Sequence, residues 1–132
     1  MAAGLKVMVV DDDPVALQIA AAVLEAQGHQ VLTRESALGT SVAVLRERPD
    51  VLVLDINMPG ISGKTLLEAI REQDAQAQVI FYSGRDPDEL ESLVSETGVL
   101  GAVAKAVDPD ELASAFSSLL ERVSPHKDDS PS

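Results

Sequence analysis

Val51-Leu52-Val53-Leu54-Asp55-Ile56-Asn57-Met58-Pro59-Gly60 runs four branched apolar residues straight into an aspartate, with a proline-glycine turn close behind. A continuous apolar run bounded by turn residues is the pattern of a strand buried on both faces. Such strands belong to parallel sheets covered by helices. In open sheets of that kind, chemistry sits beyond the carboxyl ends of the strands. Asp55 stands at that end. Alone, it could simply polarise the strand end and start the loop. Its significance comes from other strands that also finish in polar residues.

Downstream of this stretch, the loop from Ile56 to Gly63 leads into a helix from about Lys64 to Glu72 that buries Leu66, Leu67 and Ile70. Gln78 to Tyr82 is predicted as a strand ending at Ser83-Gly84. Asp86-Pro87-Asp88-Glu89 is a helix start, with a capping aspartate, a proline at the first helical position and an acid in the first turn. Leu90, Leu93 and Val94 form that helix's inner face. Gly98 to Ala104 reads as a strand of small residues ending at Lys105. Asp108-Pro109-Asp110-Glu111 repeats the start signal, and Leu112, Phe116, Leu119, Leu120 and Val123 make a helical stripe. Upstream, Leu5 to Val10 is a strand ending at Asp11-Asp12-Asp13. Pro14 opens a helix with Asp13 as its cap. Leu17, Ala20, Ala21 and Leu24 follow at helical spacing, and Gly28 stops it. Gln30 to Arg34 is a more polar strand, suited to an edge. A weaker helix is expected over Ala37 to Arg48 with Leu38, Val42 and Leu45 inward. Gly39, Thr40 and Ser41 lower its propensity, and Pro49 ends it.

Five strands alternating with five helices, joined by short connections and right-handed crossovers, give an α/β fold. The expected form is a flavodoxin-like doubly wound five-stranded parallel sheet of order 2-1-3-4-5, which leaves the polar second strand at an edge. One domain is expected over residues 1–123, followed by a polar disordered tail over 124–132. The 132 residues are 45% hydrophobic but only 2% aromatic, so the core must be aliphatic. The absence of cysteine excludes a disulfide framework and thiolate metal sites. The net charge of −12 argues against binding nucleic acid or anionic lipid. No run approaches the roughly 18 apolar residues of a membrane span. The N-terminus lacks a signal-peptide pattern, so a cytoplasmic location is expected.

In this strand order the first, third, fourth and fifth strands are neighbours, and their ends carry Asp11-Asp12, Asp55, Ser83 and Lys105. Converging carboxylates repel and raise each other's pKa. A hard divalent cation relieves that, and Mg²⁺ takes carboxylate, water and phosphate oxygens. The set suits holding a metal and a phosphoryl group together. Asp55 is a plausible nucleophile for an aspartyl phosphate. Lys105 could balance charge on the transferred group, and Ser83 could hydrogen-bond it. Plainer roles remain open: Asp11 and Asp12 starting the turn, with Asp12 accepting a backbone N–H, Ser83 as a turn residue, and Lys105 snorkelling at a strand end. Asp13 reads as a cap rather than a ligand.

Val9-Val10-Asp11-Asp12-Asp13-Pro14, Leu54-Asp55-Ile56-Asn57-Met58-Pro59-Gly60, Tyr82-Ser83-Gly84 and Lys105 resemble the receiver domain of two-component response regulators, of the stand-alone, single-domain type. The resemblance runs from about Leu5 to Val123. It implies that Asp11 and Asp12 hold Mg²⁺ together with Asp55 and the backbone carbonyl of Asn57. It implies that Asp55 is the phosphoacceptor, charged by a sensor histidine kinase or a histidine phosphotransfer protein, and that Ser83 and Lys105 contact the phosphoryl group. It implies signalling to an unknown downstream protein, with a homodimer through the fourth helix and fifth strand as one option. Two positions depart from the family. The switch pair is Ser83 with Ala102, where the family has an aromatic residue. Ala106 follows the lysine where a cis proline is usual, so a trans Lys105–Ala106 bond is expected. Two other functions compete: a pseudo-receiver that never carries phosphate, and a phosphatase resembling the haloacid-dehalogenase superfamily. The latter would use Asp11-Asp12-Asp13-Pro14-Val15 but leaves Asp55 and Met58-Pro59-Gly60 unexplained, and Asp108 and Asp110 read as helix capping.

Overall fold

The computed structural model describes residues 4–57, 62–73, 77–105 and 108–123. Along the chain these form β1 (Lys6–Val10), α1 (Pro14–Ala26), β2 (Gln30–Arg34), α2 (Thr40–Glu47), β3 (Val51–Asp55), α3 (Gly63–Gln73), β4 (Gln78–Ser83), α4 (Pro87–Thr97), β5 (Gly101–Ala104) and α5 (Pro109–Leu120). The strands are all parallel, in the order β2-β1-β3-β4-β5. The polar β2 is at one edge, as its composition requires, and β3 is at the centre.

Alternation along each strand sends successive side chains to opposite faces. Val51 and Val53 join Val7, Val9, Ile80 and Tyr82 against α1 and α5. Leu52 and Leu54 join Met8, Val10, Val79 and Phe81 against the other helices. All four apolar residues of β3 are fully buried, and each contributes roughly 1.5–3 kcal/mol of burial. Three helices start on the expected caps. Asp13, Asp86 and Asp108 accept the amides of Val15, Asp88 and Asp110 at 3.0, 2.7 and 2.9 Å, with proline next in each case. Asp108 is a helix cap, as the sequence reading has it, rather than the end of an apolar strand where a phosphatase would carry its second metal pair.

α2 corrects the sequence-based expectation. It begins at Thr40 rather than Ala37, and Leu38, Val42 and Leu45 face solvent while Thr40, Ala43 and Val44 are buried. The reason is local. Ser36 Oγ accepts from Leu38 N at 3.1 Å and Ser36 O accepts from Thr40 Oγ1 at 3.1 Å. Gly39 takes a left-handed conformation with φ 79°. This turn sets the phase of the helix, and small side chains go inward where α2 lies close to α3. β5 is also shorter than expected. Gly98 closes α4 with φ 72°, and Val99 and Leu100 lead in as loop. Leu93 and Val94 are half-buried, and only Leu90 of α4's inner face is fully covered. In α1, Ala16 is buried and Ala21 is half-buried. The Lys105–Ala106 bond, Met58-Pro59-Gly60 and the tail lie outside the described residues.

Candidate functional site

β1 and β3 are adjacent, so the residues that end them are brought side by side. Asp11 is fully buried just past β1, and Asp55 is 3% exposed at the end of β3. With the exposed Asp12 they offer carboxylate oxygens that all lie within 4.8 Å of one another. Asp11 Oδ1 accepts from Asp13 N at 2.9 Å; the turn-forming role considered for Asp12 falls to Asp11. Asp55 Oδ1 accepts from Asn57 N at 2.9 Å.

Lys105 follows β5, and its amide donates to Ser83 O at 2.8 Å, which ties the ends of β4 and β5 together. Its ammonium stands 2.9 Å from Asp11 Oδ2 and 3.4 Å from Asp55 Oδ2. It also lies 5.3 Å from the Tyr82 ring centroid. The lysine therefore points into the carboxylates rather than snorkelling outward. Asp11 Oδ2 is buried, and the ammonium ion-pairs with it. An all-oxygen donor set of three converging carboxylates fits a hard cation such as Mg²⁺, and Asp11, Asp12 and Asp55 are the residues that would hold it.

The electrostatics agree with the geometry. Burial pushes the Asp55 carboxyl above its ordinary value; the Asn57 amide opposes this, Asp11 adds to it and Lys105 opposes it. Burial works against the Lys105 ammonium, but the Asp11 and Asp55 carboxylates outweigh it and leave its pKa raised.

Ser83 is fully buried at the end of β4. Its Oγ accepts from Arg85 N at 3.1 Å and lies 3.4 Å from Asn57 Nδ2. The guanidinium of Arg85 donates to Asn57 Oδ1 from Nε at 3.1 Å and Nη2 at 2.8 Å. The sequence reading missed Arg85 and the side chain of Asn57. A signal was available: Arg85 is two residues beyond Ser83 where the strand runs out, and alternate residues share a face. Ala102 is not part of this group. It lines a groove of about 310 Å³ with Pro87, Leu90, Glu91, Val94 and Ala104.

Residues 7–117 match the family described as the response regulator receiver domain. Protein PilH of Pseudomonas aeruginosa is 33% identical over 121 residues, covering 87% of this chain and 97% of PilH. The positive alginate biosynthesis regulatory protein of the same organism is 32% identical over 115 residues, covering 85% of this chain and 46% of that protein. The chain thus spans about half the length, or less, of several longer relatives it matches. Among solved structures, the chemotaxis response regulator CheY4 of Vibrio cholerae superposes with a TM-score of 0.77 at 23% identity, covering 88% of this chain and 98% of CheY4.

Proposed function

We propose that this chain, which belongs to the response regulator receiver domain family, is a phosphoacceptor signalling switch charged on Asp55. Receiver domains are signalling phosphoacceptors rather than classical enzymes, and they bind Mg²⁺ at an acidic pocket. The observation that carries the proposal is the placement of one ammonium between two carboxylates, 2.9 Å from Asp11 and 3.4 Å from Asp55, beside the cluster that these two form with Asp12. That arrangement suits a cation and a transferable anion together.

In the reaction, a carboxylate oxygen of Asp55 attacks the phosphorus of a phosphohistidine. The new P–O bond forms as the P–N bond breaks, and the imidazole leaves and takes up a proton. Lys105 stays protonated, as its raised pKa favours, and offers its charge to a phosphoryl oxygen. Ser83 offers its O–H to another. Mg²⁺, held by Asp11, Asp12, Asp55 and the Asn57 carbonyl, would supply charge neutralisation at the phosphoryl oxygens. The donor is a sensor histidine kinase or a histidine phosphotransfer protein in the cytoplasm, and the output is contact with a downstream protein. The functional unit is residues 1–123. A homodimer through α4 and β5 is the first contact to test, by sedimentation with and without beryllofluoride. Among the described residues, no helix is long and apolar enough to cross a membrane.

Incubation with acetyl phosphate and Mg²⁺, followed by intact mass measurement, tests the reading. One added phosphate, absent in Asp55→Asn, is expected. No added phosphate in the wild type would leave only the pseudo-receiver reading.

A further inference from the structure

Arg85 is exposed, yet its guanidinium is held. Its Nε and Nη2 both donate to Asn57 Oδ1, while its backbone N–H donates to Ser83 Oγ. Asn57 Nδ2 reaches back to the same Ser83 oxygen. Asn57, Ser83 and Arg85 therefore close a ring at the mouth of the Asp55 pocket. A hydroxyl has two acceptor positions and one donor. Asn57 and the Arg85 amide occupy the acceptor positions, which leaves the Ser83 O–H as a donor toward the pocket. Among the described residues, the partner of the guanidinium is a neutral carboxamide.

A phosphoryl group on Asp55 changes that balance. It brings negative charge and strong acceptor oxygens to a rim where three carboxylates cluster and one lysine pairs with two of them. Guanidinium forks match phosphoryl oxygens, and hydrogen bonds to a charged acceptor are roughly twice as strong as neutral ones.

We infer that Arg85 is a further phosphoryl-binding residue, whose fork leaves Asn57 Oδ1 for the phosphoryl oxygens on Asp55. The inference rests on the phosphoacceptor reading. It also supplies the element with two arrangements that Ala102, lacking any χ angle, does not. Arg85 directly precedes Asp86, whose carboxylate caps α4 through Asp88 N at 2.7 Å. Exchange of the guanidinium's partner therefore takes place one residue from the α4 cap, where hydrogen exchange can register it.

Beryllofluoride, an acyl-phosphate mimic, provides the test. It is titrated with Mg²⁺ into wild type, Arg85→Gln and Arg85→Lys, with Asp55→Asn as the blank. Loading is followed by ¹⁹F NMR and the Arg85 side chain by its Nε–H resonance. The wild-type Nε–H resonance should move on loading. Arg85→Gln should bind about tenfold more weakly, as loss of a hydrogen bond to a charged group implies. Arg85→Lys, which keeps the charge but not the fork, should fall between. At equal loading, hydrogen exchange over residues 84–90 should change in the wild type and not in Arg85→Gln. A stationary Nε–H resonance in loaded wild type, or equal affinity in Arg85→Gln, overturns the inference alone. A wild type that never loads shows no bound ¹⁹F signal and overturns the phosphoacceptor reading together with it.

Discussion

Strand β3 has an aspartate at each end. Asp50 stands just before it and Asp55 completes it, and both are buried. Asp50 Oδ2 accepts from Lys6 N at 2.8 Å, and Asp50 N donates to Lys6 O at 2.8 Å, so the residue is paired reciprocally with the start of β1. At the same rim, buried His29 accepts from Leu5 N through Nδ1 at 3.2 Å. Asp55, by contrast, has one backbone amide and then faces charges, Asp11 and Lys105. Each carboxylate accepts one backbone amide, but Asp55 also faces a second carboxylate and an ammonium at the carboxyl ends of the strands. One rim is finished by the fold; the other is held ready for ligands.

The largest expected effect separates the two aspartates outright. Asp55→Asn should abolish labelling by acetyl phosphate, while Asp50→Asn should retain it. Intact mass reads both, and labelling that survives in Asp55→Asn would break the contrast. Next comes stability. Asp50→Ala leaves the Lys6 amide without its acceptor and should cost about 1–3 kcal/mol in urea melts. A neutral result would mean that water replaces the carboxylate and that the strand-start rim is less finished than its hydrogen bonds indicate.

The cation should sharpen the comparison further. Mg²⁺ at ten times its dissociation constant should add about 1.4 kcal/mol if only the folded form binds it. Thermal melts should show this gain shrinking in Asp12→Ala and unchanged in Asp50→Asn. An equal gain in Asp12→Ala would place the ion elsewhere.

The smallest effects are the pH slopes, and the two rims should differ in sign. Without metal, the folded state holds the Asp55 proton more tightly than the unfolded chain does. Wild-type stability should therefore fall as pH rises from 3.8 through the raised folded value. Asp55→Asn should lack that fall and be the more stable protein at pH 7. For His29 burial lowers the folded pKa, so the unfolded chain binds the proton better, and stability should be lost as pH drops below 6.5. His29→Gln should flatten that acid limb. Parallel slopes in the two variants would erase the distinction.

Much of this was legible in residue order. The apolar run of β3, the polar β2 and the repeated Asp-Pro caps determine the sheet order and the helix starts. Sheet order then brings Asp11, Asp12, Asp55, Ser83 and Lys105 to one rim. α2 was not legible, because hydrophobicity pointed Leu38, Val42 and Leu45 inward while Ser36 and Gly39 set another phase. The start of β5 was misplaced because small and apolar residues run without a break from the Gly98 cap through Val99 and Leu100. Arg85 escaped notice because an exposed arginine in a loop belongs to no period. The family resemblance gives its partner Asn57 a role through the backbone carbonyl alone, whereas the carboxamide makes the contacts.

Tyr82 gives the site a use of a different kind. It is the single tyrosine of a chain without tryptophan. Its ring lies 5.9 Å from that of Phe116, its hydroxyl donates to Ala16 O at 3.3 Å, and the Lys105 ammonium approaches its face. Light absorbed at the red edge of the near ultraviolet, beyond the phenylalanine band, is therefore taken up by one chromophore next to Ser83. Emission intensity and near-ultraviolet ellipticity then report on a known location. Stopped-flow optics can follow ligand arrival and unfolding in the unlabelled protein, with no assignment problem to solve.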